Sequence, residues 1–116
     1  MRIPPDAIIA EAKVRDYLLV RRPWDDKSAY LGRAGFDVEN WTELRGAIRQ
    51  LADGVDAVAD GVSEYGTFYR VEGMLAGPTG TLDVVCIWMR RAIDNRFHFV
   101  TLKPSRERSG DVPSAL

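Results

Sequence analysis

His98 is the first residue that could carry chemistry, and it is the only histidine of the chain. An unperturbed imidazole titrates near neutral pH, which suits a general base. Inside the run Phe97-His98-Phe99-Val100 the same residue could instead serve the packing of a strand. A metal site is disfavoured, because no second histidine and no Asp/Glu pair stands at ligand spacing.

Basic residues surround the segment that precedes His98. Arg90, Arg91 and Arg96 flank one short turn, Lys103 follows the last apolar run, and Lys27 lies far upstream. Guanidinium and ammonium groups bind phosphate, so together these residues could hold a nucleic acid. A solvated hairpin tip is the other interpretation.

Three aromatic residues, Tyr65, Tyr69 and Trp88, could stack on nucleobases, although packing on a sheet would explain each of them alone. Cys86 lies in an apolar run and is interpreted as a small buried hydrophobe. A single cysteine excludes a disulfide framework and a Cys-rich zinc site. The chain has no Gly-rich phosphate loop and no serine nucleophile elbow, so no cofactor is expected.

Helical periodicity dominates the first half of the chain. It predicts a first helix from Asp6 or Ile9 to Leu19, a loop at 21–24, and a second helix at 26–34 that Asp25 or Asp26 caps. Gly35 with Phe36 suits the left-handed end of that helix. A third helix is predicted to open at Asn40, where Asn40 and Glu43 have capping-box spacing, and to end at Asp53-Gly54.

Strand patterns dominate the second half, at about 56–62, 67–75, 82–92 and 97–103. Gly77-Pro78-Thr79-Gly80 and Asp94-Asn95 predict tight turns, so the strands should form a meander with the third strand central. The predicted fold class is therefore α+β, with about three N-terminal helices packed on a four-stranded antiparallel β-meander. Residues 1–104 are expected to form a single domain and 105–116 a polar, mobile tail.

Strict alternation divides the side chains of each strand between two faces. On the fourth strand it groups Phe97, Phe99, Thr101 and Lys103 against His98, Val100 and Leu102; on the third it groups Leu82, Val84, Cys86, Trp88 and Arg90. The register, which the sequence does not specify, decides which set faces the helices.

The composition limits the class of function. Apolar residues make up 46% and charged residues 28% of 116 positions, and the net charge is −1. These values exclude a disordered chain and a dedicated non-specific nucleic-acid binder. No apolar run reaches the roughly 18 residues of a membrane span, and the N-terminus lacks a signal-peptide pattern, so a cytoplasmic protein without membrane contact is expected.

A larger pattern connects these features. It comprises the segment 13–19, Lys27, Gly35-Phe36, Trp41 with Leu44, Tyr65-Gly66 with Tyr69, Gly73 with Leu75, the turn 77–80, Ile87-Trp88, and Phe99-Val100-Thr101 ahead of Pro104. From about residue 3 to 104 the chain resembles an uncharacterised bacterial family of unknown function, whose members occur alone and as toxin-associated domains. Its layout also resembles the ribonuclease-toxin fold shared by barnase, EndoU, colicin and RelE-type nucleases.

The nuclease resemblance implies a site that joins a basic residue near the helices to hydroxyl and aromatic residues on the sheet. On this chain Lys27 would stabilise phosphate charge, Thr101 would orient the scissile phosphate, and Arg90 would stabilise the transition state. The substrate would contact Tyr65, Tyr69, Trp88 and Lys103. Where that group tends to have a histidine beside the lysine, this chain has Asp25-Asp26, so Lys27 or His98 would transfer the proton.

Two main hypotheses follow, and a small-molecule-binding domain, which would need a pocket, is a third possibility. The first is a toxin-like, RNA-cleaving domain of a bacterial toxin–antitoxin or polymorphic-toxin system. It would be a metal-independent endoribonuclease, with a small antitoxin or immunity protein as partner. The alternative is a non-catalytic protein-binding or assembly module, including a homo-oligomer, because an exposed sheet edge can pair with another chain.

Overall fold

Helices occupy the first half of the chain, as predicted, in a computed structural model that describes residues 1–20 and 27–105. Helix α1 is Glu11–Lys13 and continues into a π-helical turn, Val14–Leu18. Helix α2 is Ser28–Gly32, and α3 is Trp41–Gly54. The loop predicted at 21–24, the caps predicted at 25 and 26, and the predicted tail from 106 onwards lie outside the described residues.

The first helix begins later than the sequence predicts. Ile8 is extended and forms a parallel bridge with His98. The Ile8 N–H donates to the Phe97 carbonyl, and the Phe99 N–H donates to the Ile8 carbonyl, both at 2.8 Å. Pairing with the sheet therefore satisfies backbone groups that the predicted first turn of helix would have used.

The sequence predicts the end of α2 correctly and the capping box before α3 incorrectly. Gly35 has φ +92°, and the Phe36 N–H reaches back to the Leu31 carbonyl at 3.2 Å, which is the left-handed end predicted for α2. The capping box is formed by Asp37 and Asn40, around a 3-10 turn (Val38–Asn40), and not by Asn40 and Glu43. Asp37 takes the cap because the chain makes this additional turn before α3.

The sheet is an antiparallel meander in the order β1-β2-β3-β4, as predicted. Its strands are β1 (Val58–Ser63), β2 (Gly66–Gly77), β3 (Gly80–Arg91) and β4 (Phe97–Pro104). β3 pairs with both β2 and β4, which confirms its central position. β1 pairs only with the first part of β2, as far as Arg70.

The predicted alternation along β4 is wrong after Phe99. Trp88 pairs with Phe99, whereas the preceding residue of β3, Ile87, pairs with Thr101. Val100 is thus an additional residue, a β-bulge, which shifts every later side chain of β4 to the other face. As a result Leu102 joins Phe99 in the core, while Thr101 joins His98 on the opposite face.

The described helices cover one face of the sheet. Beneath them lie the buried side chains of β2, β3 and β4, which include Val71, Leu75, Leu82, Val84, Cys86, Trp88, Phe99 and Leu102. Cys86 is 1% exposed, and burial raises the pKa of its thiol to about 12, so the predicted role as a buried hydrophobe is confirmed. Ser105, the first residue of the predicted tail, is also buried, and its N–H donates to the Asp83 carbonyl at 3.1 Å.

Candidate functional site

The face of the sheet opposite the described helices, called the open face below, carries apolar and cationic side chains around His98 and two acids, Glu72 and Asp83, toward the other end of the strands. Cross-strand pairing places the following residues on it: Phe68, Arg70, Glu72 and Met74 of β2, Asp83, Val85, Ile87, Met89 and Arg91 of β3, and His98, Thr101 and Lys103 of β4. An apolar centre with cations on the neighbouring strands can accept stacked bases together with their phosphates.

His98 and Arg91 form a close pair on the open face. The His98 Nε2 atom lies 3.4 Å from the Arg91 Nη1 atom. Desolvation is the main cause that lowers the pKa of His98 below its ordinary 6.5, and the positive charge of Arg91 lowers it further. A neutral imidazole beside a fixed cation can take up a proton while the guanidinium binds an anion.

The backbone of His98 is held from both sides. Met89 on β3 is its cross-strand partner, and Ile8 pairs with it from the N-terminal segment. This arrangement fixes the direction in which the imidazole leaves the sheet, which a catalytic side chain requires.

A pocket of about 550 Å³ adjoins this pair at the end of the sheet, where the β1–β2 and β3–β4 turns meet. We call it the Tyr65 pocket; it is lined by Glu64, Tyr65, Met89, Arg91, Ala92 and Ile93. Its volume falls in the range of small-ligand sites, about 300–1,000 Å³. Two of its walls are unusually exposed for large apolar side chains, since Tyr65 is 68% and Ile93 82% exposed. Exposed apolar side chains that line one pocket are typical of a surface that binds a ligand or a partner protein.

Backbone contacts fix the position of Tyr65. The Tyr65 N–H donates to the Ser63 Oγ atom at 3.1 Å, and the Ala92 N–H donates to the Tyr65 carbonyl at 2.9 Å. Gly66 has φ +155°, and a Cβ atom there would lie 2.1 Å from the Arg90 carbonyl oxygen. Only glycine therefore allows the β1–β2 turn to lie this close to β3.

Four of the eight predicted site residues lie together. Tyr65 lines the pocket, and His98, Thr101 and Lys103 follow one another along the open face of β4. Thr101 is half-buried, and its hydroxyl donates to the Leu102 carbonyl at 3.4 Å. Lys103 is exposed and pairs with Val85.

The other four lie on the side of the sheet that the helices cover. The Lys27 ammonium, just before α2, is 5.5 Å from the centroid of the Tyr17 ring, which packs on the core. Trp88 is fully buried with its ring edge-on to Phe99, 5.5 Å between centroids. Tyr69 is half-buried against Phe97. Arg90, at the end of β3, lies on the same face of the strand as Trp88. The structure therefore does not bring Lys27 together with Thr101.

Sequence reasoning did not single out Arg91, Met89 and Ile93 as site residues. Arg91 stood in the basic cluster around the turn, but its face could not be distinguished from that of Arg90 without the register. Ile93 carries a usable signal, because a large aliphatic residue in a hairpin turn between Ala92 and Asp94 has no core to enter.

Comparison with known proteins identifies the family of this chain. Residues 5–106 match the model of a domain of unknown function, DUF6883. The chain belongs to the DUF6883 family. This confirms the predicted membership in an uncharacterised family. No curated protein matches the chain.

The DUF6883 chain is also similar to one chain of a solved structure from Klebsiella pneumoniae 342, a contact-dependent growth inhibition toxin–immunity protein complex. The TM-score is 0.65 at 20% sequence identity, over 85% of this chain and 100% of that chain. At this identity the similarity shows a shared fold. Among the described residues no group of three His, Cys, Asp or Glu could hold a metal ion, and no helix is long and apolar enough to cross a bilayer.

Proposed function

We propose that this chain is a toxin-like, RNA-cleaving domain whose site is the open face around His98 and Arg91, and that a partner protein neutralises it. The observation that carries the proposal is the 3.4 Å contact between the imidazole and the guanidinium beside the Tyr65 pocket. The similarity to a chain of a toxin–immunity complex supports the toxin-like role and the existence of a protein partner.

The proposed reaction is an internal transfer at one phosphodiester. His98 takes the proton of a ribose 2′-hydroxyl, the 2′ oxygen bonds to phosphorus, and the bond from phosphorus to the 5′ oxygen breaks. The leaving 5′ oxygen takes a proton from water, and the His98 imidazolium returns its proton to the hydroxide that remains. The products are a 2′,3′-cyclic phosphate and a free 5′-hydroxyl. Arg91 stabilises the charge that develops on the phosphoryl oxygens, since its guanidinium is already fixed beside the imidazole.

The rest of the open face would hold the neighbouring nucleotides. Thr101 and Lys103 continue the row that begins at His98, so a phosphate next to the reacting one can contact them. The apolar centre around Ile87 and Phe68 offers surface on which a base can lie. Lys27 does not take part in this scheme, because it lies on the other side of the sheet.

Cleavage of a labelled single-stranded RNA, with chelator present, tests the proposal. We expect the wild type to produce 2′,3′-cyclic phosphate ends, and His98→Gln to lose about 10²- to 10⁴-fold in rate, the usual contribution of a general base. Lys27→Ala should remain active. Arg91→Gln should also slow cleavage, because it removes the charge proposed to stabilise the phosphoryl oxygens. Arg45→Gln, which removes an exposed cation stacked on Trp41 in α3, is its charge control.

Two results would contradict the proposal. RNA that stays as intact with the wild type as with His98→Gln would remove the catalytic function. Loss of cleavage in Lys27→Ala with full activity in His98→Gln would move the chemistry to the helix-covered side of the sheet.

A second candidate function, an assembly module, is favoured by the edge of the sheet. β1 is an edge strand whose Val58 and Val62 side chains are 52% and 79% exposed. Beyond Arg70, no strand of the described chain pairs with β2 on this side. Unpaired strand edges and exposed valines can receive a strand from another chain.

A further inference from the structure

The Tyr65 pocket contains a group that the proposed cleavage chemistry does not use. Glu64 is exposed and lines the pocket, directly before Tyr65 in the β1–β2 turn. Within the described part of the chain its carboxylate forms no salt bridge and accepts no hydrogen bond. The guanidinium of Arg91, on another wall, instead contacts His98 and lies 3.9 Å from Asp94.

The two exposed apolar walls suit a flat ring. Tyr65 and Ile93 extend from different turns, and the hydrogen bond between the Ala92 N–H and the Tyr65 carbonyl holds these turns together. A nucleobase between the phenol ring and the aliphatic side chain would cover apolar surface that is now in water. The Glu64 carboxylate would then meet the edge of the base.

We propose that this pocket selects guanine, with the Glu64 carboxylate accepting hydrogen bonds from N1–H and N2–H of the base. Guanine alone among the four RNA bases presents two adjacent N–H donors on its Watson–Crick edge, and an ionised carboxylate is an acceptor only. Adenine and cytosine place an acceptor nitrogen beside their single amino group, and uracil flanks its one N–H with two carbonyl oxygens. Each of these arrangements brings a lone pair against the carboxylate.

The position of the pocket connects base selection to the cleavage site. Met89 lines the pocket and is the cross-strand partner of His98, and Arg91 belongs to both the pocket and the catalytic pair. A guanine in the pocket would therefore present its own ribose and 3′-phosphate to His98. This inference rests on the proposed function, because selecting a base has a role only if RNA is cleaved. Binding of the base can nevertheless be measured without cleavage.

Binding of nucleoside 3′-monophosphates to the full chain tests the inference directly. We expect 3′-GMP to bind more tightly than 3′-AMP, 3′-CMP and 3′-UMP by about 5- to 150-fold, the range for a two-bond contact to a base edge. Inosine 3′-monophosphate, which lacks the N2 amino group, should fall between. Glu64→Gln and Glu64→Ala should remove the preference, whereas Glu43→Gln, an exposed acid in the first turn of α3, should keep it.

Tyr65→Ala provides a second, independent variant, because loss of the stacking wall should weaken all four nucleotides alike. Equal affinities in the wild type, or an unchanged preference in both Glu64 variants, would overturn the inference. RNA cleaved without regard to base would overturn it while the proposed function stands. Guanine-selective binding with intact RNA would support the pocket and reject the cleavage.

Discussion

His98 is the residue on which the proposed chemistry depends, and its titration can be observed without ambiguity because the chain has one histidine. We expect its NMR signals to titrate with a midpoint below 6.5, since desolvation and the Arg91 charge both favour the neutral ring. Arg91→Gln should raise the midpoint, and Arg45→Gln should leave it unchanged. A midpoint at or above 6.5 in the wild type would contradict the arrangement described for the pair.

The sign of the stability effect follows from the same shift. The folded state binds this proton less readily than the unfolded chain, whose imidazole has an ordinary pKa near 6.5. The contribution of His98 to folding is therefore present above that pH, and is lost as the pH falls through the folded pKa.

At the residue scale, side-chain type alone did not predict location. His98 and Tyr65 were identified from their types and lie in the candidate site, whereas Trp88 and Tyr69 have the same stacking chemistry and face the core. Tyr65 lies in the β1–β2 turn, whereas Trp88 and Tyr69 lie on the strand face that the helices cover. That face depends on register, which the one-dimensional pattern does not contain.

At the scale of elements, turn residues carried most of the predictable information. The turn of the hairpin at Gly77–Gly80 contains Pro78, and Gly35 ends α2 with a φ of +92° that favours glycine, so both sequence signals were correct. The bulge at Val100 has no such signal, because the residue is an ordinary strand former. It nevertheless determines which face carries Thr101 and Lys103.

The β1–β2 turn provides a stability prediction for an element. Gly66→Ala should lower the free energy of unfolding by at least about 1–3 kcal/mol, since the new Cβ atom meets the Arg90 carbonyl and the backbone is strained. Gly46→Ala, inside α3 with nothing within 4 Å of its Cβ position, should raise that free energy by up to about 1 kcal/mol. Urea denaturation measures both. A Gly66→Ala variant as stable as the wild type would show that this turn does not depend on glycine.

At the scale of the whole molecule, a net charge of −1 means that affinity for RNA must come from a local arrangement. The fold supplies one, because three neighbouring strands bring Arg70, Arg91 and Lys103 to a single face. Acids partly offset it, since Asp60 pairs with Arg70 at 3.3 Å and Glu72 and Asp83 lie on the same face. The cations that remain beside His98 lie toward β4, where the cleavage is proposed.

The edge of β1 decides between the two functions at this scale. A bulge between Ala59 and Val62 and the exposed Asp60 both oppose strand pairing with another copy, so we expect the wild type to have the mass of a single chain at micromolar concentration. Light scattering after size exclusion measures this mass, with Val62→Lys as the edge variant. Val38→Lys, at a residue that is 43% exposed before α3, is its control. A wild-type dimer that Val62→Lys dissociates and Val38→Lys preserves would favour the assembly module, because the exposed valine would then be the contact that holds two copies together.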